Sequence, residues 1–191
     1  MRILIFGATG VLGRATIPHL AGHTIAGTTR SADKLAALAA LGADGVVCDA
    51  YDADSVARVA RTFRPEVVVN FLTDLAGGPG PGNIRIRREG APNVTAAARA
   101  AGARRLVVES IAFATRPESD AAVAAMEADA QGSGLETLIL RFGRLWGPGT
   151  WDARPPVQPA IEVAEAGRRA AASIAGSSAG TVLIAETPPG A

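Results

Sequence analysis

The first fourteen residues constrain the fold more than any other stretch of the chain. Met1-Arg2-Ile3-Leu4-Ile5-Phe6 is a short apolar run of the length of a buried strand. Gly7-Ala8-Thr9-Gly10-Val11-Leu12-Gly13 follows at once, and Arg14-Ala15-Thr16-Ile17 opens a helical pattern. A strand, a glycine turn and a helix in that order make a cradle for a phosphate. Gly7 and Gly10 permit backbone angles and approaches that a Cβ would block. The helix start offers N–H groups without intrahelical partners and the positive end of the helix dipole. Gly13 lets the helix pack closely on the sheet. The spacing is G-x-x-G-x-x-G, not the G-x-G-x-x-G of the usual dinucleotide fingerprint. Context therefore carries the reading, and the plain alternative is a strand-to-helix turn with no ligand.

Beyond the turn the chain alternates between strand-like and helix-like segments. Helices are expected over residues 11–21, 32–41, from Asp52 or Asp54 to 63, 83–101, 120–131 and 161–173. Strands are expected over 23–29, 45–49, 66–72, 105–110, 136–142 and 181–185. Pro18 should kink the first helix and Pro92 the fourth. Ser31 and Asn83 read as N-caps. The glycine- and proline-rich stretch 73–82 is either a flap over a substrate or a plain connection. Alternation of this kind predicts one α/β domain over 1–191, doubly wound, with a mostly parallel sheet of about seven strands and helices on both faces. Residues 144–180 read as a reduced substrate-side segment.

In such a fold, ligands lie at the carboxyl edge of the sheet. The turn would hold a pyrophosphate through Gly7, Thr9, Gly10, Val11, Leu12 and Gly13. The second strand ends in Thr29-Arg30, where an acidic residue would bind both ribose hydroxyls. A guanidinium suits a 2′-phosphate instead, so NADP(H) is favoured over NAD(H). Asp33 belongs to the first turn of the next helix. Asp49 and Ala50 are placed to touch adenine. Phe71, Leu72 and Thr73, after the fourth strand, and Phe142, at the end of the sixth, complete the expected cofactor contacts. His19 and His23 read as ordinary solvated or structural residues. Arg85, Arg87, Arg88 and Arg99 read as a solvated face or partner surface.

Composition narrows the partners. The formal net charge is +1, and aromatic residues make up 4% of the 191 positions. Neither nucleic acid nor an anionic membrane is implied. One cysteine, Cys48, excludes an internal disulfide and a cysteine metal cluster, and no metal is expected. Cys48 reads as a buried strand residue. No signal peptide is expected, and no apolar stretch reaches about 18 residues. The expected location is the cytoplasm, the expected partner a small-molecule substrate or dinucleotide only, and the expected state a monomer or homodimer.

Together these segments resemble the short-chain dehydrogenase/reductase superfamily. The similarity is to its extended or atypical branch, which includes NAD-dependent epimerase/dehydratase relatives. The matching features are the turn from 7 to 13, Asp49, Glu89-Gly90 with Asn93, and Leu106-Val107-Val108-Glu109-Ser110. To these add Leu140-Arg141-Phe142-Gly143-Arg144-Leu145-Trp146-Gly147-Pro148-Gly149, with Trp146 in a tyrosine position, and Ile161-Glu162-Val163-Ala164-Glu165-Ala166. The resemblance implies a Rossmann-like fold, a bound NAD(P) and a catalytic Tyr-x-x-x-Lys pair with a serine. Ser110 stands at the end of the serine strand, so it is the candidate catalytic residue. Ser119 and Val123 occupy the positions of the tyrosine and lysine. The chain's one tyrosine, Tyr51, and one lysine, Lys34, lie far upstream. The family's acid/base pair is therefore missing, a loss of typically about 10²–10⁴-fold in rate. The C-terminal substrate lobe is minimal, which argues against a bulky nucleotide sugar.

Three functions fit this pattern. The first is an NADP(H)-dependent oxidoreductase acting on a small, readily reduced acceptor. The second is a dinucleotide sensor that has lost catalysis. The third is an epimerase- or dehydratase-like enzyme whose acid/base residue comes from elsewhere, with Glu109, Arg141 and Asp74 as candidates.

Overall fold

A computed structural model describes residues 1–75 and 80–186. Its sheet has seven strands, all parallel, in the order β3-β2-β1-β4-β5-β6-β9. The strands are β1 (Arg2–Phe6), β2 (Thr24–Thr29), β3 (Asp44–Val47), β4 (Val67–Asn70), β5 (Arg105–Ile111), β6 (Glu136–Phe142) and β9 (Gly180–Ile184). β7 (Arg144–Trp146) and β8 (Ala160–Glu162) form a separate parallel pair. The expected single doubly wound α/β domain is thus present.

Alternation along the strands explains why they read as unbroken apolar runs. Ile3 and Ile5 face one core, with Val67, Val69, Leu138 and Leu140. Leu4 and Phe6 face the other, with Val68, Leu106, Val108 and Ile139. Helices α1 (Val11–Thr16), α2 (Leu35–Ala40) and α7 (Val163–Ala175) cover the first face. Helices α3 (Ala53–Phe63), α5 (Ala91–Ala100) and α6 (Pro117–Gln131) cover the second. A parallel sheet buried on both sides has no polar face to write into its sequence.

Several boundaries differ from expectation for local reasons. The first helix does not run to residue 21 with a kink. It ends at Thr16 and tightens into a 3-10 turn, Ile17–Leu20, with Pro18 near its start. There the missing N–H costs no continuing α-helical bond. Ser31 does not cap by bonding a backbone amide; its hydroxyl bonds the Asp33 carboxylate. Asp52 is the cap of α3, accepting from the amides of Asp54 and Ser55 at 3.0 and 3.1 Å. Cys48 is buried, just beyond β3 rather than within it.

Asn83 is no cap. It lies inside α4 (Pro81–Arg85), which starts with Pro81 after Gly80. A π turn, Ile86–Gly90, joins α4 to α5 ahead of Pro92. α6 begins at Pro117, three residues early, with Glu118 and Asp120 in its first turn. Residues 161 and 162 belong to β8, so α7 starts at Val163. Of the segment 73–82, residues 76–79 lie outside those described, and the flap reading falls there.

Candidate functional site

The glycine turn is built by contacts that exclude side chains. Gly7 has φ +80°, and a Cβ on it would overlap the backbone carbonyl of Phe71. A Cβ on Gly13 would lie 2.6 Å from the carbonyl oxygens of Gly7 and Ala8. These glycines seat the turn against β4 and the start of α1 against the turn. Gly10 differs: it is exposed, and a Cβ there would meet only the Gly7 carbonyl oxygen, at 3.1 Å. Its outer side is open. The Gly10 amide donates to Gly7 at 3.0 Å, and the Arg14 amide donates to Gly10 at 3.0 Å. The amides of Val11, Leu12 and Gly13 precede the first intrahelical bond and have no acceptor in the helix. An open backbone concavity with unused donors at a helix start fits a pyrophosphate.

The expected adenosine contacts, Arg30, Asp49 and Ala50, stand with Tyr51 at the ends of β2 and β3. Arg30 is exposed at the tip of β2, beside the buried Thr29, whose hydroxyl accepts from the Ser31 amide at 3.2 Å. Asp49 accepts from the Tyr51 amide at 3.0 Å, and the carbonyl of buried Ala50 accepts from Asn93 at 2.9 Å. The guanidinium of Arg85 lies 4.2 Å from the centre of the Tyr51 ring. Burial and the Asp74 carboxylate hold the Tyr51 phenol above its ordinary pKa, against the pull of Arg85 and Arg30. Both arginines therefore act on one ring beside the crevice. Sequence reading misses Arg85 here, because nothing in its spacing shows that α4 folds back over the β3–α3 connection.

At the other end, Ser110 is not at an open surface. It is fully buried, and its hydroxyl donates to Glu127 at 2.5 Å. Glu127, on α6, also accepts two bonds from Arg141 of β6, at 2.9 and 2.5 Å. Arg141, then Ser110, hold its carboxyl below the ordinary range against the opposing effect of burial. Ser110 ties β5 to α6 instead of facing a substrate. The correction follows from strand parity, which turns Ser110 to the α6 side with Leu106 and Val108. Phe142 is corrected likewise: its ring is buried in the α1–α7 core, and its carbonyl accepts from the Ala112 amide at 2.8 Å. Phe71 is buried and meets the turn through its backbone, while Leu72 is partly buried and Thr73 exposed.

Val123 is buried on α6. Ser119 is partly exposed and lines a 350 Å³ depression with Ile84, Arg85, Arg88, Arg116 and Glu118. No residue of the glycine turn borders that depression, so it is not the nucleotide groove. Arg87 departs most from expectation. It is buried, not part of a solvated face, and its Nε has no hydrogen-bond partner among the described residues. Glu109 is partly exposed, and desolvation, opposed by Arg87, pushes its carboxyl up to about 7. No group of His, Cys, Asp or Glu that could hold a metal exists among the described residues, and none of their helices is long and apolar enough to cross a membrane.

A parallel sheet wound on both faces, with a glycine turn at the carboxyl end of the interior strand β1, defines a Rossmann-type dinucleotide-binding domain. The chain belongs to the NAD(P)H-binding family, whose model matches residues 7–175. A 3-diazoavenalumate denitrifying reductase from a Streptomyces species is 40% identical, covering 81% of this chain and 59% of that protein. The chain thus spans about three fifths of that relative's length. The fold matches solved structures at low identity. The Bordetella bronchiseptica enzyme WbmG in complex with NAD has a TM-score of 0.76 and 22% identity, over 97% of this chain and 72% of that one. The UDP-glucose 4-epimerase of Thermus thermophilus, a complex with NAD, has a TM-score of 0.76 and 19% identity, over 97% and 78%. A putative NAD-dependent epimerase/dehydratase from Bacillus halodurans gives 0.75 and 20%, over 92% and 88%.

Proposed function

We propose that this chain is an NADP(H)-dependent oxidoreductase for a small acceptor that needs a hydride but no proton from the protein. One observation carries the reading: the nucleotide cradle is intact while Ser119 and Val123 stand where the resemblance puts tyrosine and lysine. Gly7, Thr9, Gly10, Val11, Leu12 and Gly13 would hold the pyrophosphate. Arg30, with Arg85 across the Tyr51 ring, would hold a 2′-phosphate. When bound, the reduced nicotinamide supplies the hydride. The residues of the chain bind, orient and exclude water; Ser110, through Glu127, fixes the end of β5 from which the acceptor is approached.

A ketone hydride acceptor needs an acid to protonate its oxygen, and no tyrosine stands at that end of the crevice. A diazo group, such as the Streptomyces reductase is named for, makes no such demand. Hydride added to an arenediazonium cation gives the arene and dinitrogen, so charge and electrons balance without an acid. Quinones are a second class of strongly oxidising acceptor.

Binding is tested by melting the protein with NADPH and with NADH. A ligand at 100 times its Kd stabilises by about 2.7 kcal/mol, which raises Tm by roughly 5–10 °C for a domain of this size. NADPH is expected to give the larger shift, and Arg30→Ala to weaken NADPH by about 10- to 100-fold while sparing NADH, because a charged hydrogen bond is worth about 1.5–3 kcal/mol. An NADH preference that survives Arg30→Ala overturns the 2′-phosphate assignment. Loss of NADPH absorbance with an arenediazonium or a quinone supports the enzyme. Tight NADPH binding with no turnover of either favours the sensor, which the missing pair also fits.

A further inference from the structure

An open sheet has two edge strands, each with a row of N–H and C=O groups that no neighbouring strand takes up. Among the described residues the sheet ends in β3 on one side and β9 on the other. β3 is a poor template for a further strand: it is four residues long and starts on the exposed Asp44. β9 is the longer and more apolar edge. Its residues, Gly180-Thr181-Val182-Leu183-Ile184, carry no charge and favour extended backbone. Val182 and Ile184 turn into the core on the side of α7. Leu183 turns to the other face and is 59% exposed.

The ladder shows which backbone groups of β9 point outward. The Ile184 carbonyl accepts from the Gly143 amide at 2.9 Å, so it points towards β6. Direction alternates along a strand, so the groups of Thr181, Leu183 and Ala185 point away from the sheet. Two of these outward carbonyls are taken by one side chain. Arg169, on α7, donates to Ala185 at 2.8 Å and to Leu183 at 3.5 Å. Its neighbour Arg168 is paired with Glu165, whereas Arg169 has no ion-pair partner among the described residues. The end of the strand is pinned as well. The Glu186 amide donates to Ala160 of β8 at 2.8 Å, and the Glu186 carboxylate accepts from the Glu162 amide at 3.0 Å. The carbonyl of Ala185 is thus held where the guanidinium reaches it.

We propose that the outer edge of β9 is a strand-pairing surface for a second copy of this chain, and that Arg169 keeps it shut. An incoming strand needs the carbonyls that Arg169 occupies, and it would have to displace the guanidinium or bury it, which is strongly unfavourable. A second copy fits the edge because two identical strands pair antiparallel about a two-fold axis. Paired about Leu183, the copies would set the two exposed leucines side by side on one face. The inference does not depend on the nucleotide reading.

The test is the oligomeric state of the full chain by sedimentation velocity over a range of concentrations, with amide hydrogen exchange to locate any new contact. Arg169→Ala and Arg169→Gln remove the charge. Each should associate one step beyond wild type, monomer to dimer or dimer to tetramer, with a dissociation constant for that step at least tenfold lower. The amides of Thr181 and Leu183, open to exchange in wild type, should be protected tenfold or more in these variants. Arg169→Lys, which keeps a charge at the edge, should stay near wild type. Adding Leu183→Lys to Arg169→Ala should restore the wild-type state, because like charges would then face each other across the pair. Association within twofold of wild type in both charge-removing variants overturns the proposal. Association that leaves the β9 amides unprotected overturns it too, since the contact is then on another face. Protection of those amides in wild type overturns the guard. Failure of both variants to fold does the same, because Arg169 then holds the fold instead of closing its edge.

Discussion

Neighbouring residues on β5 face opposite sides of the sheet, and their carboxyl and hydroxyl groups have different fates. The Ser110 hydroxyl is spent on Glu127, inside the protein. Ser110→Ala removes one buried hydrogen bond, worth about 1 kcal/mol. A Tm lower by a few degrees with NADPH affinity unchanged is the expected result; loss of turnover without loss of Tm would return Ser110 to the substrate. Glu109, next to it, holds its proton up to about 7, against 4.5 for an ordinary glutamate. Between those values the folded chain binds more protons than the unfolded chain. Stability from this group is therefore full below about 4.5, falls as pH rises, and levels off above about 7. Glu109→Gln has no proton to lose. Melting curves should show the variant level with wild type near pH 4.5 and more stable at pH 8, by up to about 3 kcal/mol at about 1.4 kcal/mol per pH unit.

Elements are held at two glycine contacts of the same kind but different consequence. A Cβ on Gly167 of α7 would overlap the Ala15 carbonyl of α1, a backbone atom that cannot swing aside. Alanine raises helix propensity by about 1 kcal/mol, while overpacking costs about 1–3 kcal/mol or more; against backbone the second wins. Gly167→Ala should lower Tm and leave NADPH affinity as it is. Gly13→Ala should lower both, because its clash is with the turn itself. Equal effects of the two on NADPH affinity would remove the turn from the site. Such contacts are only half legible in the sequence. Gly7, Gly10 and Gly13 declare themselves by standing between a strand and a helix. Gly167 lies inside a helical pattern, and nothing local says which helix it meets. Arg87 misleads for a similar reason: three arginines in four residues look like a wet face. The π turn rotates one of them into the interior.

At the scale of the whole molecule, the alternation of segments suffices to read the fold. Parallel strands covered on both faces need crossovers, and the crossovers are the helices. The β7–β8 pair is not readable, because three-residue strands carry no period. The pair spans residues 144 to 162, and its partners are fixed by tertiary contact. Strand order has one more consequence. β1, the first strand of this sequence, stands inside the sheet: β2 and β3 add to one side of it, then β4, β5, β6 and β9 add in turn to the other. Taken as a schedule of synthesis from the amino end, the two strands flanking β1 are both available once residue 70 has been made. The glycine turn and its seat on Phe71 need nothing from β5, β6 or β9. The half of the sheet that carries the glycine turn is thus laid down before the half built from β5, β6 and β9, and later strands extend a growing edge without reopening the centre.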